Sequence, residues 1–269
     1  MHQQNVLFSF IISLLGNNQE KFTQHNMEIT NKDICIVIPI YKDNINEPLL
    51  YDEVESIYHT IKVMHNYDIY FVCSQNLDIS FYKKFDAPNV KYKFFEFNTR
   101  LQYSQMCLNY KFYLSFKEYK YMLICQTDAY IFRDELIDWC NKGYDYCGAL
   151  ILFDDNYKAI FGDENINIHG YKNVAFNGGF SLRNIKSFYD ICLKQKERFS
   201  KITMNEDIFI CFNLQNDLKL ITIDDAIKFS AENQTYCIYP KLYNKLPFGC
   251  HTRKAKYKLF DIFNIKIYN

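Results

Sequence analysis

The stretch ICIVIPI, residues 34–40, is a continuous run of apolar and mostly β-branched residues. Such a run is typical of a strand that is buried on both faces, as the strands of a parallel sheet are. Four further strand-like segments follow, namely YDIYFVCS (67–74), VKYKFFEF (90–97), YMLICQ (121–126) and YDYCGAL (144–150). Between them, apolar residues recur at helical spacing over 49–65, 102–117 and 134–141. The alternation predicts an α/β fold, with a mostly parallel, Rossmann-like sheet that carries helices on both faces.

Composition and charge disfavour several classes of function, among them nucleic-acid binding and a zinc ribbon. The chain has 269 residues, of which 49% are hydrophobic, enough for the core of one large domain. Lys+Arg and Asp+Glu balance at 31 each, so we expect no nucleic-acid partner and no broad cationic membrane face. The ten cysteines form no CxxC pair, which disfavours a zinc ribbon. Most lie in apolar segments, as expected of buried reduced thiols in a cytosolic protein.

The two ends of the chain differ from its middle. VLFSFIISLLG, residues 6–16, is apolar but too short to span a bilayer, and no Lys or Arg precedes it. It fits a helix at a membrane surface or in packing, or a segment upstream of a true start at Met27. We therefore predict an N-terminal extension over 1–33, a single domain over 34–253 and a tail over 254–269.

Polar residues follow the predicted strands where a ligand would bind. In open α/β sheets, ligands bind at the carboxyl ends of the strands. Asp43 follows the first strand, Asp128 follows YMLICQ, and Asn177 interrupts VAFNGGFSLRN (174–184). We expect these side chains to lie along one edge of the predicted sheet, at the carboxyl ends of its strands. The polar stretch over 152–173 has no hydrophobic period, and a loop of that length is commonly functional or mobile.

Asp128 lies between apolar segments, where an unpaired buried charge would be costly. It could be a turn or capping residue. Alternatively, it could hold Mg²⁺ or Mn²⁺, which prefer carboxylate oxygens and leave ligand positions for phosphate.

Three other motifs each allow a structural and a functional interpretation. Glu206 and Asp207 could cap a helix or supply a general base. Gly178 and Gly179 could mark a bulge or the close approach of a ligand. His251 follows the Pro/Gly turn of PFGCH (247–251) and could be structural or a metal ligand.

The order of the motifs is more specific than any one of them. QTDAYIF, DYCGAL, NGGFSLRN, NEDIF, FSAE (229–232) and PFGCH occur in this order. In this order they resemble a family of glycosyltransferase-like proteins of unknown function, many of them bacterial. That family is itself similar to the GT-A glycosyltransferases, which use nucleotide sugars. The resemblance extends from about residue 34 to about residue 253.

The resemblance implies a GT-A fold and a set of site residues. It implies a nucleoside diphosphate sugar as donor, and a glycan, a lipid-linked glycan or a protein as acceptor. Asp128 and His251 would hold Mn²⁺ or Mg²⁺, and Asp207, or else Glu206, would be the base of an inverting transfer. The implied donor-binding residues are Pro39, Tyr41, Lys42, Gln126, Asn177, Gly178, Gly179 and Arg253. The expected location is the cytoplasm, with peripheral contact at the inner face of the membrane as an open alternative.

One departure from the GT-A pattern keeps alternatives open. Gln126 stands where the first acid of the Asp-x-Asp motif is expected, which leaves one carboxylate and puts metal dependence in doubt. A noncatalytic nucleotide-sugar binder or assembly protein is therefore an alternative. A nucleotidyltransferase fits less well, because IYKDNINEP after the first strand is not a Gly-rich phosphate loop. A glycosidase also needs two carboxylates but not the nucleotide-binding strand end, so it ranks last.

Overall fold

The computed structural model describes residues 28–41, 49–152, 167–168, 171–172, 174–232, 235–236 and 244–265. The strands are β1 (Ile34–Ile40), β2 (Asp68–Ser74), β3 (Val90–Phe95), β4 (Tyr121–Cys125), β5 (Tyr130–Ile131), β6 (Tyr146–Leu152), β7 (Asn167–Ile168), β8 (Tyr171–Lys172), β9 (Val174–Asn184), β10 (Ser230–Ala231) and β11 (Gly249–Cys250). The α-helices are α1 (Tyr51–Val63), α2 (Arg100–Cys107), α3 (Tyr110–Leu114), α4 (Leu136–Asn141), α5 (Ile185–Lys194), α6 (Lys196–Phe199), α7 (Glu206–Asn213), α8 (Ile223–Phe229) and α9 (Arg253–Phe263).

A six-stranded mixed sheet forms the centre of the domain, in the order β3-β2-β1-β4-β9-β6. The pairs β3–β2, β2–β1 and β1–β4 are parallel, whereas β9 is antiparallel to both β4 and β6. All residues of β1 and β4 are buried, so helices and loops cover both faces there. The prediction of a mostly parallel α/β sheet is confirmed.

A small second sheet joins the C-terminal part of the domain to the end of β4. Strand β11 pairs in parallel with β10 and antiparallel with β5. Because β5 follows β4 after a four-residue turn, this sheet brings late segments of the chain to the carboxyl edge of the central sheet. The residues after Ala231 and Cys250 are therefore neighbours of the QTD segment.

Two boundaries differ from the sequence-based prediction. The helix predicted over 102–117 is two helices, because α2 ends at Cys107 and the Asn109 side chain accepts a hydrogen bond from the backbone N of Lys111 to start α3. The tail predicted over 254–269 includes most of α9, which buries Leu259 and Phe260. Part of the predicted tail is therefore a packed helix, since a helix with an apolar face needs a surface to cover it.

Other expectations fall partly outside the described residues. Residues 6–16, Lys42, Asp43 and most of 152–173 lie outside them. The nine cysteines within the described ranges are free and buried, as predicted. No helix among the described residues is both long and apolar enough to cross a membrane.

Candidate functional site

A cavity of about 610 Å³ opens at the carboxyl edge of the central sheet. The ends of β1 and β4, the middle of β9, the start of α7 and the residue after β11 all contribute to it. Its lining residues are Pro39, Tyr41, Glu53, Phe97, Asn98, Thr99, Arg100, Tyr103, Ser104, Gln126, Thr127, Asp128, Asn177, Gly179, Asn205, Glu206, Asp207 and His251. The structure thus brings most of the predicted site residues into one space.

The QTD segment forms a tight turn directly after β4. Gln126 donates its backbone N–H to the Gly179 carbonyl at 2.8 Å and accepts at its own carbonyl from the N–H of Ala129 at 2.9 Å. The buried Thr127 hydroxyl donates to Glu53 Oε1 at 2.5 Å. These bonds fix the turn from both sides and leave the Asp128 side chain 39% exposed, at the cavity.

His251 extends from the small sheet toward this turn. Its backbone N–H donates to the Ala231 carbonyl at 2.9 Å. Its Nδ1 lies 2.8 Å from Glu232 Oε2, and its Nε2 lies 3.2 Å from Gln126 Oε1 and 3.4 Å from Asp128 Oδ1. Burial lowers the pKa of His251, but the carboxylates of Glu232 and Asp128 outweigh burial and hold that pKa well above its ordinary value.

The same arrangement suits a divalent cation. A carboxylate behind Nδ1 is the usual way in which proteins orient a metal-binding histidine. Two adjacent ligands of an octahedral Mg²⁺ or Mn²⁺ lie about 3 Å apart, close to the 3.4 Å between Asp128 Oδ1 and His251 Nε2. No group of three or more His, Cys, Asp or Glu side chains within the described ranges could hold a metal. Among the residues that the structure describes, Asp128 and His251 are thus the two that could act together as strong ligands at this corner.

The paired glycines of β9 make room for the two halves of the site. A Cβ on Gly179 would lie 2.2 Å from His251 Nε2 and 2.7 Å from Gln126 Oε1. A Cβ on Gly178 would lie 2.8 Å from Glu206 Oε1 and 3.1 Å from the Asp207 Cβ. Side chains of other residues thus approach the β9 backbone more closely than any Cβ would allow.

A bulge is present as well, and it lies in β9 itself, because Gly148 pairs with Ser181 whereas Leu150, two residues on, pairs with Phe176. The register of β6 against β9 shifts between Gly148 and Leu150. A Cβ on Gly148 would lie 2.2 Å from the Asn177 carbonyl oxygen, and Asn177 Oδ1 accepts from the Gly179 N–H at 2.6 Å. Both interpretations of the glycine pair, a bulge and a close approach, therefore hold at this position.

The acid pair begins α7 on the other side of β9. Asp207 is half-buried, and its carboxylate accepts from the backbone N–H of Gly178 at 3.1 Å and of Ile208 at 2.7 Å. Burial and the adjacent Glu206 carboxylate raise the pKa of Asp207 to about 7, although these hydrogen bonds and Arg183 act against the shift. A carboxyl group that titrates near neutrality is well suited to general base catalysis.

Two of the predicted site residues that the structure describes, Gly178 and Arg253, do not line the cavity, and Arg253 is directed away from it. Its Nε lies 3.2 Å from Asp52 Oδ2, and its side chain is 60% exposed at the start of α9. Pro39 and Tyr41 do line the cavity, whereas Lys42 lies outside the described residues.

Several residues at the site carried no local sequence signal. Glu53 and Ser104 lie within helical patterns, and Glu232 ends the FSAE motif without an assigned role. Their partners Thr127, Glu206 and His251 are 74, 102 and 19 residues away in sequence. Only the folded chain brings these pairs together.

The comparison with known families gives one match. A sequence model for the family described as "Protein of unknown function (DUF5672)" matches residues 84–251. That range runs from before β3 to His251, so it includes the QTD turn, the glycine pair and the acid pair. No curated protein matches the chain.

Three solved structures with a similar fold are described as glycosyltransferases. The mannosyltransferase Ktr4p from S. cerevisiae has a TM-score of 0.52 at 12% identity, over 81% of this chain and 76% of that one. The galactosyltransferase LgtC, solved with donor and acceptor sugar analogues, has a TM-score of 0.50 at 12% identity, over 87% and 98%. The bifunctional glycosyltransferase WbbM has a TM-score of 0.50 at 12% identity, over 92% and 52%. The fold is thus that of the GT-A glycosyltransferases.

Proposed function

We propose that this chain, which belongs to the DUF5672 family, is a glycosyltransferase that moves a sugar from a nucleoside diphosphate donor to a hydroxyl group of an acceptor. One observation carries the proposal. A single cavity on a GT-A fold is lined by the Asp128–His251 pair, by Gly179 of β9 and by Asp207, whose pKa is raised to about 7. These are the groups that a leaving diphosphate, a donor sugar and an acceptor hydroxyl would each require.

The departing diphosphate would lie at the Asp128–His251 corner. These two side chains would hold Mn²⁺ or Mg²⁺, which when bound supplies a Lewis acid that offsets the charge developing on the leaving group. Glu232 fixes the imidazole through Nδ1 and thereby directs Nε2 toward Asp128. Glu53 holds the turn through Thr127. The corner is therefore preorganised, and little reorganisation is needed when charge develops.

The acceptor would be activated on the opposite side of the glycine pair. Asp207 would take the proton from the attacking hydroxyl, a role typically worth about 10²–10⁴-fold in rate. Attack from the face opposite the diphosphate gives inversion at the anomeric carbon. Gly178 and Gly179 lie between these two corners, so the β9 backbone would line the donor sugar.

The nucleotide would occupy the part of the cavity beside β1. Pro39 and Tyr41 lie at the end of β1, and the Tyr41 side chain is 46% exposed, which leaves its ring accessible for stacking. The identities of the base, the sugar and the acceptor stay predictions at the level of class, as does a cytoplasmic location.

A noncatalytic nucleotide-sugar binder is the second candidate. Gln126 favours it, because an amide replaces a carboxylate beside Asp128. This alternative predicts donor binding without transfer and without release of the nucleotide by hydrolysis.

The test combines binding with turnover. A thermal-shift panel of UDP-, GDP-, CMP- and dTDP-sugars, with and without Mn²⁺, should identify a donor that raises the melting temperature, because a ligand of the native state stabilises it. Asp128→Asn should abolish the Mn²⁺-dependent part of the shift. Asp190→Asn, which alters only an exposed ion pair with Lys186, is the matched control. No shift with any donor would contradict the proposal, and a shift without nucleotide release on addition of acceptors would favour the binder.

A further inference from the structure

A fully buried arginine lies behind the acid pair. Arg183, on β9, is 0% exposed, and its Nη2 donates to Glu206 Oε1 at 3.2 Å. Its other donors reach Tyr113 Oη at 3.1 Å and Ser181 Oγ at 3.2 Å. A buried guanidinium is tolerated when a counter-charge and hydrogen bonds compensate for lost hydration, and Glu206 provides that charge.

The two acids of the pair have different surroundings. Glu206 is 5% exposed, and its oxygens are divided between Arg183 and the Ser104 hydroxyl, which donates to Oε2 at 2.8 Å. A proton on Glu206 would remove the charge that compensates Arg183. Asp207 is half-buried and is held by backbone N–H groups instead. Protonation of Asp207 therefore leaves the buried ion pair intact.

We infer that Glu206 is a positioning residue and not a second base: it is held between Arg183 and Ser104, anchors the start of α7 to β9 and α2, and acts through Asp207. The inference rests on the proposed sugar transfer for the role of Asp207 as a base. The effect of Glu206 on the pKa of Asp207, however, can be measured without any substrate.

The charges around Asp207 determine how its pKa responds to a change at Glu206. The titratable and charged groups next to Asp207 are Glu206 and Cys211 on its own helix, Arg183 on β9 and Tyr146 on β6. The same cavity is also lined by Glu53, Arg100, Tyr103, Asp128 and His251. Among the charged neighbours on α7 and β9, Glu206 raises the pKa of Asp207 and Arg183 lowers it. Neutralising these two side chains separately should shift the titration of Asp207 in opposite directions.

The direct test is an NMR titration of protein labelled with ¹³Cγ-aspartate. The Asp207 signal is assigned by its absence from Asp207→Asn, and we expect a midpoint of about 7 in the wild type. Glu206→Gln keeps the shape and an acceptor for Arg183, and it should lower the midpoint by roughly one unit or more. Arg183→Met should raise it if the variant folds. The exposed Glu197→Gln is the control that should leave it unchanged.

Two results would overturn the inference. One is an unchanged midpoint in Glu206→Gln. The other comes from an assay of nucleotide release, with UDP-galactose and GDP-mannose as probe donors. If Glu206→Gln lost as much turnover as Asp207→Asn, Glu206 would be the base. We expect Glu206→Gln to keep partial turnover, with the acid limb of its pH profile shifted to lower pH. If the wild type releases no nucleotide while the NMR midpoints shift as expected, sugar transfer fails and the electrostatic role of Glu206 stands.

Discussion

Replacing Gly179 by alanine should disable the site while leaving the fold in place. The φ angle of Gly179 is not positive, so alanine meets no backbone penalty there and the effect is one of contact alone. The new Cβ would lie 2.2 Å from His251 Nε2, whereas ordinary contact begins at 3.4 Å, so the ring must move by about 1.2 Å. Such a movement takes the imidazole out of hydrogen-bond range of at least one of its partners, Glu232 or Gln126.

The magnitude follows from the contacts that are lost. A hydrogen bond to a charged group is worth about 1.5–3 kcal/mol, which corresponds to roughly a 10- to 100-fold loss in affinity for a ligand that depends on His251. Turnover should fall by a further factor of up to about 10², because a misplacement of about 1 Å in a catalytic group can cost that much. The melting temperature should fall by only a few degrees, as for a modest overpacking defect of about 1–3 kcal/mol.

The assay compares Gly179→Ala with a glycine variant of similar instability. Gly143 has φ of +65°, and a Cβ there would meet only Lys219 Nζ, at 3.9 Å. Gly143→Ala should therefore lose about 1–2 kcal/mol through backbone strain alone, and its donor-induced thermal shift and nucleotide release should stay close to those of the wild type. If Gly179→Ala matched Gly143→Ala in both assays, His251 would not belong to the site.

Three further predictions concern single side chains. Asp207→Asn should reduce turnover by roughly 10²–10⁴-fold and keep the donor-induced thermal shift, with the exposed Asp217→Asn as control. Wild-type turnover should fall as the pH drops below about 7, because the base must be ionised to accept a proton and the pKa of Asp207 is raised to that value; a pH–rate profile flat through this range would contradict the assignment. Glu232→Gln should weaken Mn²⁺-dependent donor stabilisation by about 10- to 100-fold, as measured by titration of Mn²⁺ in the thermal-shift assay.

The order of the elements was predictable because it depends on local pattern. The ICIVIPI run indicated a two-sided buried strand, and β1 is buried at every residue. The antiparallel insertion of β9 between β4 and β6 had no such signal, since strand direction depends on long-range pairing. The break between α2 and α3 was missed because apolar spacing continues across Asn109, and only the capping bond of its side chain shows that one helix has ended.

The site residues also fall into those that local sequence pattern reveals and those that only the folded chain brings together. Asp128, Asp207 and His251 stand out in sequence because each is a polar residue that borders an apolar segment. Their supporting residues do not, because Glu53, Arg183 and Glu232 act through partners that only the fold brings near. Arg253 shows the opposite error: it is only two residues after His251 in sequence, yet it begins a helix and its side chain pairs with Asp52.

Under the proposed sugar transfer, the charge balance of the site gives Gln126 a role. Its Oε1 accepts at 3.2 Å from His251 Nε2, so the amide keeps an acceptor oxygen at this corner without adding a negative charge beside Asp128. One anionic ligand leaves more of a divalent cation's positive charge for the leaving diphosphate than two would, although it also weakens binding of the free ion. On this argument the cation and the donor would bind together, and a weak affinity for Mn²⁺ alone would be compatible with a metal-assisted transfer.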